Sequence, residues 1–500
     1  MNATGIIRDG IAQPCRPWPR FLLTANAWER MVAALPMEPT LALIALWADS
    51  AHAHAILIDE TTAAVLPVSV AVEAGAYPAL SPSRPAAAWL ERMIQDLWGH
   101  VAIGGTDARP WLDHGRWPNR HPMAVRPSAM GPPPEPPEFL PVEGADLHQV
   151  PVGPIHAGII EPGHFRFTAS GDTIVRLEIR LGYTHKGTLA LMRGKTVRAA
   201  ARFAARLSGD TTVAHATAFA LAAEAALNVE IPARARNLRA VMLEIERIAN
   251  HLGDVGAICN DASFAFAQAR LGFHREAMLR AAARAFGHRL MMDAVLPGGI
   301  AGDISDGGAD EILHAIAAAE AELPELVRMI DNYSSLADRL VSTGTLSVEL
   351  AARFAAGGVI GRASGRGFDA RKLPVPGKPA MELRVPVLTA GDVDARVRIR
   401  LSEITESIRL LRASLAGLPD GPTSIVLPGG SGEGVGCVEG FRGDIWAWLQ
   451  LDNGQVANVF LRDPSWSQWP LLEAAVQGNI LADFPLTNKS FNCSYSGVDL

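Results

Sequence analysis

The sequence predicts an α+β protein of more than one domain. Short β-type apolar segments occupy its first quarter, Ala-, Leu- and Arg-rich stretches at helical spacing fill its middle, and β character returns near its end. At 500 residues the chain exceeds the length at which a single core usually stops growing, so two or three domains are expected.

Taken in order, segments 41–47, 55–58 and 64–70 read as strands. Segment 86–98 reads as a helix with Leu90, Met93, Ile94 and Leu97 on one face, completing a small α/β module. Gly131-Pro-Pro-Pro-Glu-Pro-Pro-Glu138 favours extended backbone and marks a linker, 126–150, between domains 1–125 and 151–500. Segments 165–167 and 174–181 flank the polar turn Ala169-Ser-Gly-Asp172 and predict a hairpin. Helices are expected over 186–207, 211–227, 232–258 and 263–292, with Pro232 in a first turn, and alanines on several faces suggest a packed bundle. A further helix spans 310–340 with a break at Pro324, and another covers 398–415. From 424 onward the pattern turns β, with strands at 436–438 and 445–451 and a turn at Asp452-Asn-Gly454.

Composition excludes several classes. Hydrophobic residues make up 49%, yet no apolar stretch is long enough to span a bilayer, and no signal peptide is read, so a cytoplasmic chain is expected. A net charge of −7 leaves no footprint for nucleic acid. The four cysteines, Cys15, Cys259, Cys437 and Cys493, form no CxxC pair, so any iron-sulfur cluster belongs to a partner, and no metal site is assigned to this chain. HExxH, EF-hand and GxSxG signatures are absent. The glycine-rich run Gly429–Gly436 lacks GxGxxG spacing and a following helix, and reads as a plain turn rather than a phosphate loop. Candidate proton carriers and fixed charges are therefore dispersed: His156, His164, His185, His215, Arg362, Asp369 and Arg371.

Five ordered segments carry a resemblance: Val152-Gly-Pro-Ile-His-Ala-Gly158, Glu161-Pro-Gly-His-Phe-Arg-Phe167, Leu181-Gly-Tyr-Thr-His-Lys-Gly187, Arg206-Leu-Ser-Gly-Asp210 and Arg362-Ala-Ser-Gly365. Together they resemble the large subunit of energy-converting (group 4, hydrogenase-4 and formate hydrogenlyase-like) nickel-iron hydrogenases, and its relative, the quinone-site large subunit of respiratory complex I. Trp89-Leu-Glu-Arg-Met-Ile-Gln-Asp-Leu-Trp-Gly99 is similar to the complex I accessory subunit, which implies a fusion of the two. The implied fold is an N-terminal α/β domain followed by a hydrogenase-like domain with a β-hairpin, a central helical bundle and a β-rich C-terminal region.

The resemblance also implies where chemistry would sit. The family's four nickel-ligating cysteines fall on Ser208, Thr211, Ser494 and Gly497, so nickel is not expected here. The family's quinone histidine falls on His164 and its tyrosine on Gly209. A vestigial metal cavity or altered quinone cavity would then involve His156, Ser208, Gly209, Thr211 and Ser494, and a charged relay His164, His215, Arg362, Asp369 and Arg371. The implied role is a subunit of a membrane-associated oxidoreductase complex, peripheral on the cytoplasmic face of the inner membrane. Its partners would be a small iron-sulfur subunit, antiporter-like membrane subunits and other complex I-like hydrophilic subunits, with quinone a possible acceptor and NAD(H) reached only through the complex. The alternative is an inert scaffold that docks those partners.

Overall fold

The computed structural model describes residues 2–129, 139–144, 146–158, 160–375 and 382–500; the proline run at 131–138 lies outside the described residues. The N-terminal region builds a sheet of β1 (Ile11–Gln13), β2 (Arg20–Leu23), β3 (Leu41–Ala48), β4 (His52–Asp59) and β5 (Ala64–Ala71) in the order β1-β2-β5-β4-β3. Only the β2–β5 pairing is parallel. Helix α1 (Ala25–Ala34) starts where Thr24 Oγ1 accepts the Ala27 N–H, and α2 (Ala88–Trp98) ends at Gly99, whose φ of 75° suits a left-handed cap.

A three-stranded antiparallel sheet follows, from β6 (Leu147–Val152), β7 (His164–Ser170) and β8 (Thr173–Arg180). The helical centre comprises α3 (Thr212–Ala226), α4 (Ala233–Asp261), α5 (Ala265–Phe286), α6 (Gly308–Asp331) and α7 (Val393–Ala416). The chain ends in a second antiparallel sheet of β9 (Gly432–Gly440), β10 (Gly443–Asp452) and β11 (Gln455–Arg462), then α8 (Ser465–Ala475) and α9 (Phe484–Phe491). The architecture is α+β.

Four expectations are corrected. The stretch 186–207 is two short helices, Thr188–Met192 and Val197–Ala204, because Gly194 takes φ 74° and donates its N–H to Val456 O. Pro324 does not break α6: it lies on the exposed side, as does Glu320 four residues earlier, so solvent can satisfy the carbonyl that loses its partner. The helix ends instead at Asn332. The glycine-rich run is a turn only at its start, since β9 begins at Gly432. Strand β11 and helices α8 and α9 have no counterpart in the pattern read from the sequence.

The glycines of β9 have a packing purpose. A Cβ on Gly432, Gly434 or Gly436 would stand 2.2, 2.1 and 2.2 Å from the carbonyl oxygens of Ala226, Ala222 and Ala218. Two residues of strand advance about 6.7 Å and four residues of helix about 6 Å, so every second strand residue meets every fourth helix residue. Backbone therefore packs on backbone. Helix α3, buried on nearly all sides, is held along β9, and the β9–β10 turn reaches the start of the helix.

The N-terminal sheet shares its core with this C-terminal sheet. Trp47 stacks on Phe460 at 5.4 Å and contacts Trp448 at 5.5 Å, while Arg20 pairs with Glu433 through two bonds of 2.7 and 2.9 Å. Arg16 and β9 exchange backbone bonds with Glu433 O and the Val435 N–H.

Candidate functional site

Two loops far apart in sequence meet at the N-terminal end of α3. Ser208 precedes the helix, and Ser494 lies after α9; both are buried, and their hydroxyl oxygens are 2.9 Å apart. The Ser208 hydroxyl donates to Asp210 Oδ1 at 2.9 Å, leaving its oxygen to accept from Ser494. Ser494 Oγ in turn accepts the Gly497 N–H at 2.9 Å. Asp210 is held by Arg442 from the β9–β10 turn, through Nη1 at 2.8 Å and through Nη2. The result is a satisfied chain of hydroxyls ending on an ion pair.

Surrounding elements fix each part. The Glu246 carboxylate of α4 accepts the N–H groups of Val213 and Ala214 at 2.7 and 3.1 Å, supplying two of the acceptors that the start of α3 lacks. Ser494 N–H donates to Ser465 Oγ, and Trp469 Nε1 donates to Ser494 O. His215, one turn into α3, has Nδ1 3.1 Å from Thr211 O and 3.0 Å from Thr211 Oγ1. Its Nε2 faces Asp463 Oδ2 at 3.5 Å, and neither atom has a hydrogen-bond partner among the described residues. Burial pushes the His215 pKa down, favouring the neutral ring.

A second cluster lies on the other side of the β9–β10 turn. Arg362, from the short helix Gly358–Ala363, donates to Glu403 of α7 at 2.6 Å and to Glu439 of β9 at 2.9 Å, and lies 3.5 Å from Asp369. Arg371 binds Asp369 at 2.7 Å and Glu244 at 3.1 Å. Arg247 of α4 bonds Glu244 and the carbonyls of Glu439 and Gly440, and His251 bonds Glu403 at 2.8 Å. With His251 neutral, three arginines face the four carboxylates of Glu244, Asp369, Glu403 and Glu439. Burial and the neighbouring Asp369 push the Glu439 pKa up to about 7, while burial opposes but arginines hold Asp369 at about 2. Of the four carboxyls, Glu439 alone is shifted toward its protonated form, while Glu244, Asp369 and Glu403 are held ionised by the arginines.

That shift has a sign. A carboxyl whose folded-state pKa is raised stabilises the fold fully below its unfolded value near 4.5 and loses that contribution as pH rises through about 7. The Tm of the protein should fall between pH 5 and pH 8 by more than that of Glu439→Gln. An infrared titration should show a buried protonated carboxyl band that fades near pH 7 and is missing in the variant.

Of the residues singled out by sequence, Ser208, Gly209, Thr211, His215 and Ser494 converge, and Arg362, Asp369 and Arg371 converge in the second cluster. The other histidines lie apart from both. His164 leans on Phe139 with ring centroids 5.1 Å apart; its Nδ1 lies 3.3 Å from Gly153 O, and its Nε2 is buried without a partner among the described residues. His156 Nε2 bonds Gly163 O at 2.8 Å and holds the loop before β7. His185 Nδ1 donates to Asp499 O at 2.6 Å and ties its loop to the end of the chain. Sequence reasoning missed Asp210, Asp463 and Arg442 at the first cluster, and Glu244, Arg247, His251, Glu403 and Glu439 at the second. Glu244, Arg247 and His251 fall at i, i+3 and i+7 of α4, a spacing the sequence does carry, whereas Asp210, Glu403, Glu439, Arg442 and Asp463 are isolated along the chain and offer none.

The donor set does not fit a nickel-iron centre. Such centres need four thiolates, and the positions present two serine hydroxyls, a threonine and a glycine. A Cβ on Gly497 would stand 2.7 Å from Asp463 Cγ, so a cysteine there would displace Asp463. Burial pushes the neighbouring Cys493 thiol far up, away from thiolate.

These features resemble the hydrogenase-like large subunits of multi-subunit redox complexes, and comparison with known proteins finds relatives of that kind. Residues 186–253, which hold the Ser208 cluster's loop and His215, match the family model for nickel-dependent hydrogenase. Residues 265–429, which hold Arg362, Asp369 and Glu403, match that of the respiratory-chain NADH dehydrogenase 49 Kd subunit. Formate hydrogenlyase subunit 5 of Escherichia coli is 28% identical over 89% of this chain and 81% of its own length. Membrane-bound hydrogenase subunit alpha of Pyrococcus furiosus is 28% identical, covering 70% and 87%. An NADH-quinone oxidoreductase subunit of Desulfotalea psychrophila is 29% identical, covering 66% and 91%. The chain is thus similar, over most of its length, to group 4 hydrogenase and complex I-like large subunits. No described helix is long and apolar enough to cross a membrane.

Proposed function

We propose that the chain is the large subunit of a membrane-associated, complex I-like oxidoreductase that works without a nickel-iron centre. The observation that carries this is the Ser208–Ser494 contact: two residues that the resemblance puts at ligand positions satisfy one another and Asp210 through their hydroxyls. The second cluster keeps Arg362, Asp369, Glu403 and Glu439 buried, with the partly buried Arg371 bound to Asp369. In this reading electrons arrive from an iron-sulfur cluster in a small partner subunit, and proton exchange at Glu439 links redox change to antiporter-like membrane subunits. His164, whose Nε2 has no partner among the described residues, is the group offered to a quinone headgroup as hydrogen-bond partner. NAD(H), if used, reacts at another subunit. The domain reading, 1–125 as an accessory-like unit joined through 126–150 to 151–500, belongs to the same proposal, as does a position on the cytoplasmic face of the inner membrane.

Affinity isolation of the tagged chain from its own cells in mild detergent tests the proposal. An iron-sulfur protein and polytopic membrane proteins should co-purify, and the assembly should reduce a water-soluble quinone with a rate lowered at least tenfold by His164→Ala. Recovery of the chain alone would contradict it. The scaffold reading is favoured by one observation, the closed hydroxyl chain itself, which leaves no unsatisfied polar group on Ser208 or Ser494 to receive a ligand. It predicts that co-purification is kept while His164→Ala and Glu439→Gln leave every redox rate unchanged.

A further inference from the structure

A cluster at the β3–β4 turn belongs to neither site. Asp49 follows β3, and His52 and His54 lie two residues apart on β4 and so share a face. Asp49 Oδ1 accepts the N–H groups of Ala51 and His52 at 2.7 and 2.8 Å, which locks the carboxylate and turns Oδ2 toward His54 Nε2 at 3.1 Å. His52 Nδ1 lies 3.7 Å from Asp49 Oδ1, and one donor atom from each of the three residues lies within 4.8 Å of the others. Donors bound about 2.0–2.1 Å from a tetrahedral ion stand roughly 3.3 Å apart, so small side-chain movements suffice to close on one.

We propose that Asp49, His52 and His54 bind a divalent transition-metal ion of the zinc type, through the Asp49 carboxylate, His52 Nδ1 and His54 Nε2. A fourth position beside the half-buried His52 stays open to water. Two imidazoles and one carboxylate suit zinc, copper, nickel or iron, whereas magnesium and calcium prefer oxygen donors throughout.

The surroundings are those of a held ligand set. His54 Nδ1 lies 3.0 Å from Ser69 Oγ, which also accepts from Arg20 at 2.8 Å. Arg20 is in turn fixed by Glu433, and Glu433 by the indole N–H of Trp448. The His54 ring packs between Trp47 and Trp448 at 5.3 and 5.1 Å. Such outer contacts orient ligating histidines and set their tautomer. Without an ion, His54 keeps its single ring proton on Nε2, donated to Asp49. With one, that proton resides on Nδ1 and is donated to Ser69 Oγ, so the ring stays neutral throughout. Burial pushes the His54 pKa down and favours this neutral form. Because Arg20–Glu433 ties the N-terminal sheet to β9, a bound ion would also brace the junction of the two sheets.

The full-length chain, stripped with chelator and titrated with cobalt(II), tests this. One cobalt per chain should bind with visible ligand-field absorption, be displaced by zinc(II), and raise the Tm. Loss of even an outer partner typically costs about 10–100-fold in affinity, so Asp49→Asn and His52→Ala should each weaken binding by roughly 100-fold or more. Asp49→Asn retains the Oδ1 acceptor of the turn, and His52 is partly exposed, so circular dichroism should be unchanged in both. Equal affinity in the parent and both variants, or no stoichiometric binding by the parent, would overturn the proposal.

Discussion

Replacing Arg362 by Met should destabilise the fold by about 3–5 kcal/mol, the largest effect expected of any single substitution in the ion cluster. Arg362 is fully buried, and it is the only side chain that touches Glu403, Glu439 and Asp369 at once among the described residues. Removing it leaves Arg247 and Arg371 against four carboxylates. Glu439 can take up a proton, but Glu403 is held ionised by Arg362 and His251 against a burial that favours protonation. The loss therefore shifts the Glu403 pKa upward and makes His251 the remaining hydrogen-bond partner of Glu403 Oε2. Chemical denaturation at pH 7 and pH 5 checks both parts. The penalty should be smaller at pH 5, where uncompensated carboxylates can be protonated; an equal penalty at both pH values would mean that lost packing dominates.

Gly434→Ala should cost at least about 3 kcal/mol, at the upper end of ordinary overpacking. The added methyl would lie 2.1 Å from Ala222 O and 2.5 Å from Ala226 N, both backbone atoms of α3. No rotamer relieves such a contact, so helix and strand must separate along their length. That separation also moves Glu439 and Arg442, which the same strand and turn deliver to the two clusters. Thermal denaturation measures the first effect. The second should appear as a lower pKa of the Glu439 carboxyl by infrared titration, since water would reach it. By contrast Gly454→Ala, at the β10–β11 turn, meets only Gly429 Cα at 3.7 Å; its cost should come from its φ of 77° alone, about 1 kcal/mol.

The glycine stripe shows why part of this fold was legible and part was not. Periodicity within a segment is local, so β3, β5, the β7–β8 hairpin and the long bundle helices followed from runs of apolar residues. The spacing Gly432-x-Gly434-x-Gly436 was visible too, but its cause is Ala218, Ala222 and Ala226 on α3, more than 200 residues away. Read alone it is a turn. Pro324 misled for a similar reason: whether a proline breaks a helix depends on which side faces water, which one segment does not reveal. At the site, Ser208 and Ser494, singled out by the resemblance from opposite ends of the domain, lie with their hydroxyls 2.9 Å apart. Asp463, Arg442 and Glu439 escaped because single charged residues have no pattern until the strands that carry them are paired. His52 and His54, two apart after Asp49, are the exception: their spacing is legible in the sequence, but only the β3–β4 turn brings Asp49 back beside them.

Metal content of the intact complex tests most directly whether the centre is absent. Cells that also make active nickel-iron enzymes should be used, so that nickel delivery is not limiting. The assembly isolated through this chain should contain iron and sulfide from its partner, and any nickel bound to the chain should show only nitrogen and oxygen ligands by X-ray absorption. It should disappear in Asp49→Asn. One nickel per chain with sulfur ligands, persisting in that variant, would contradict the reading of Ser208, Thr211, Ser494 and Gly497 as a site without thiolates.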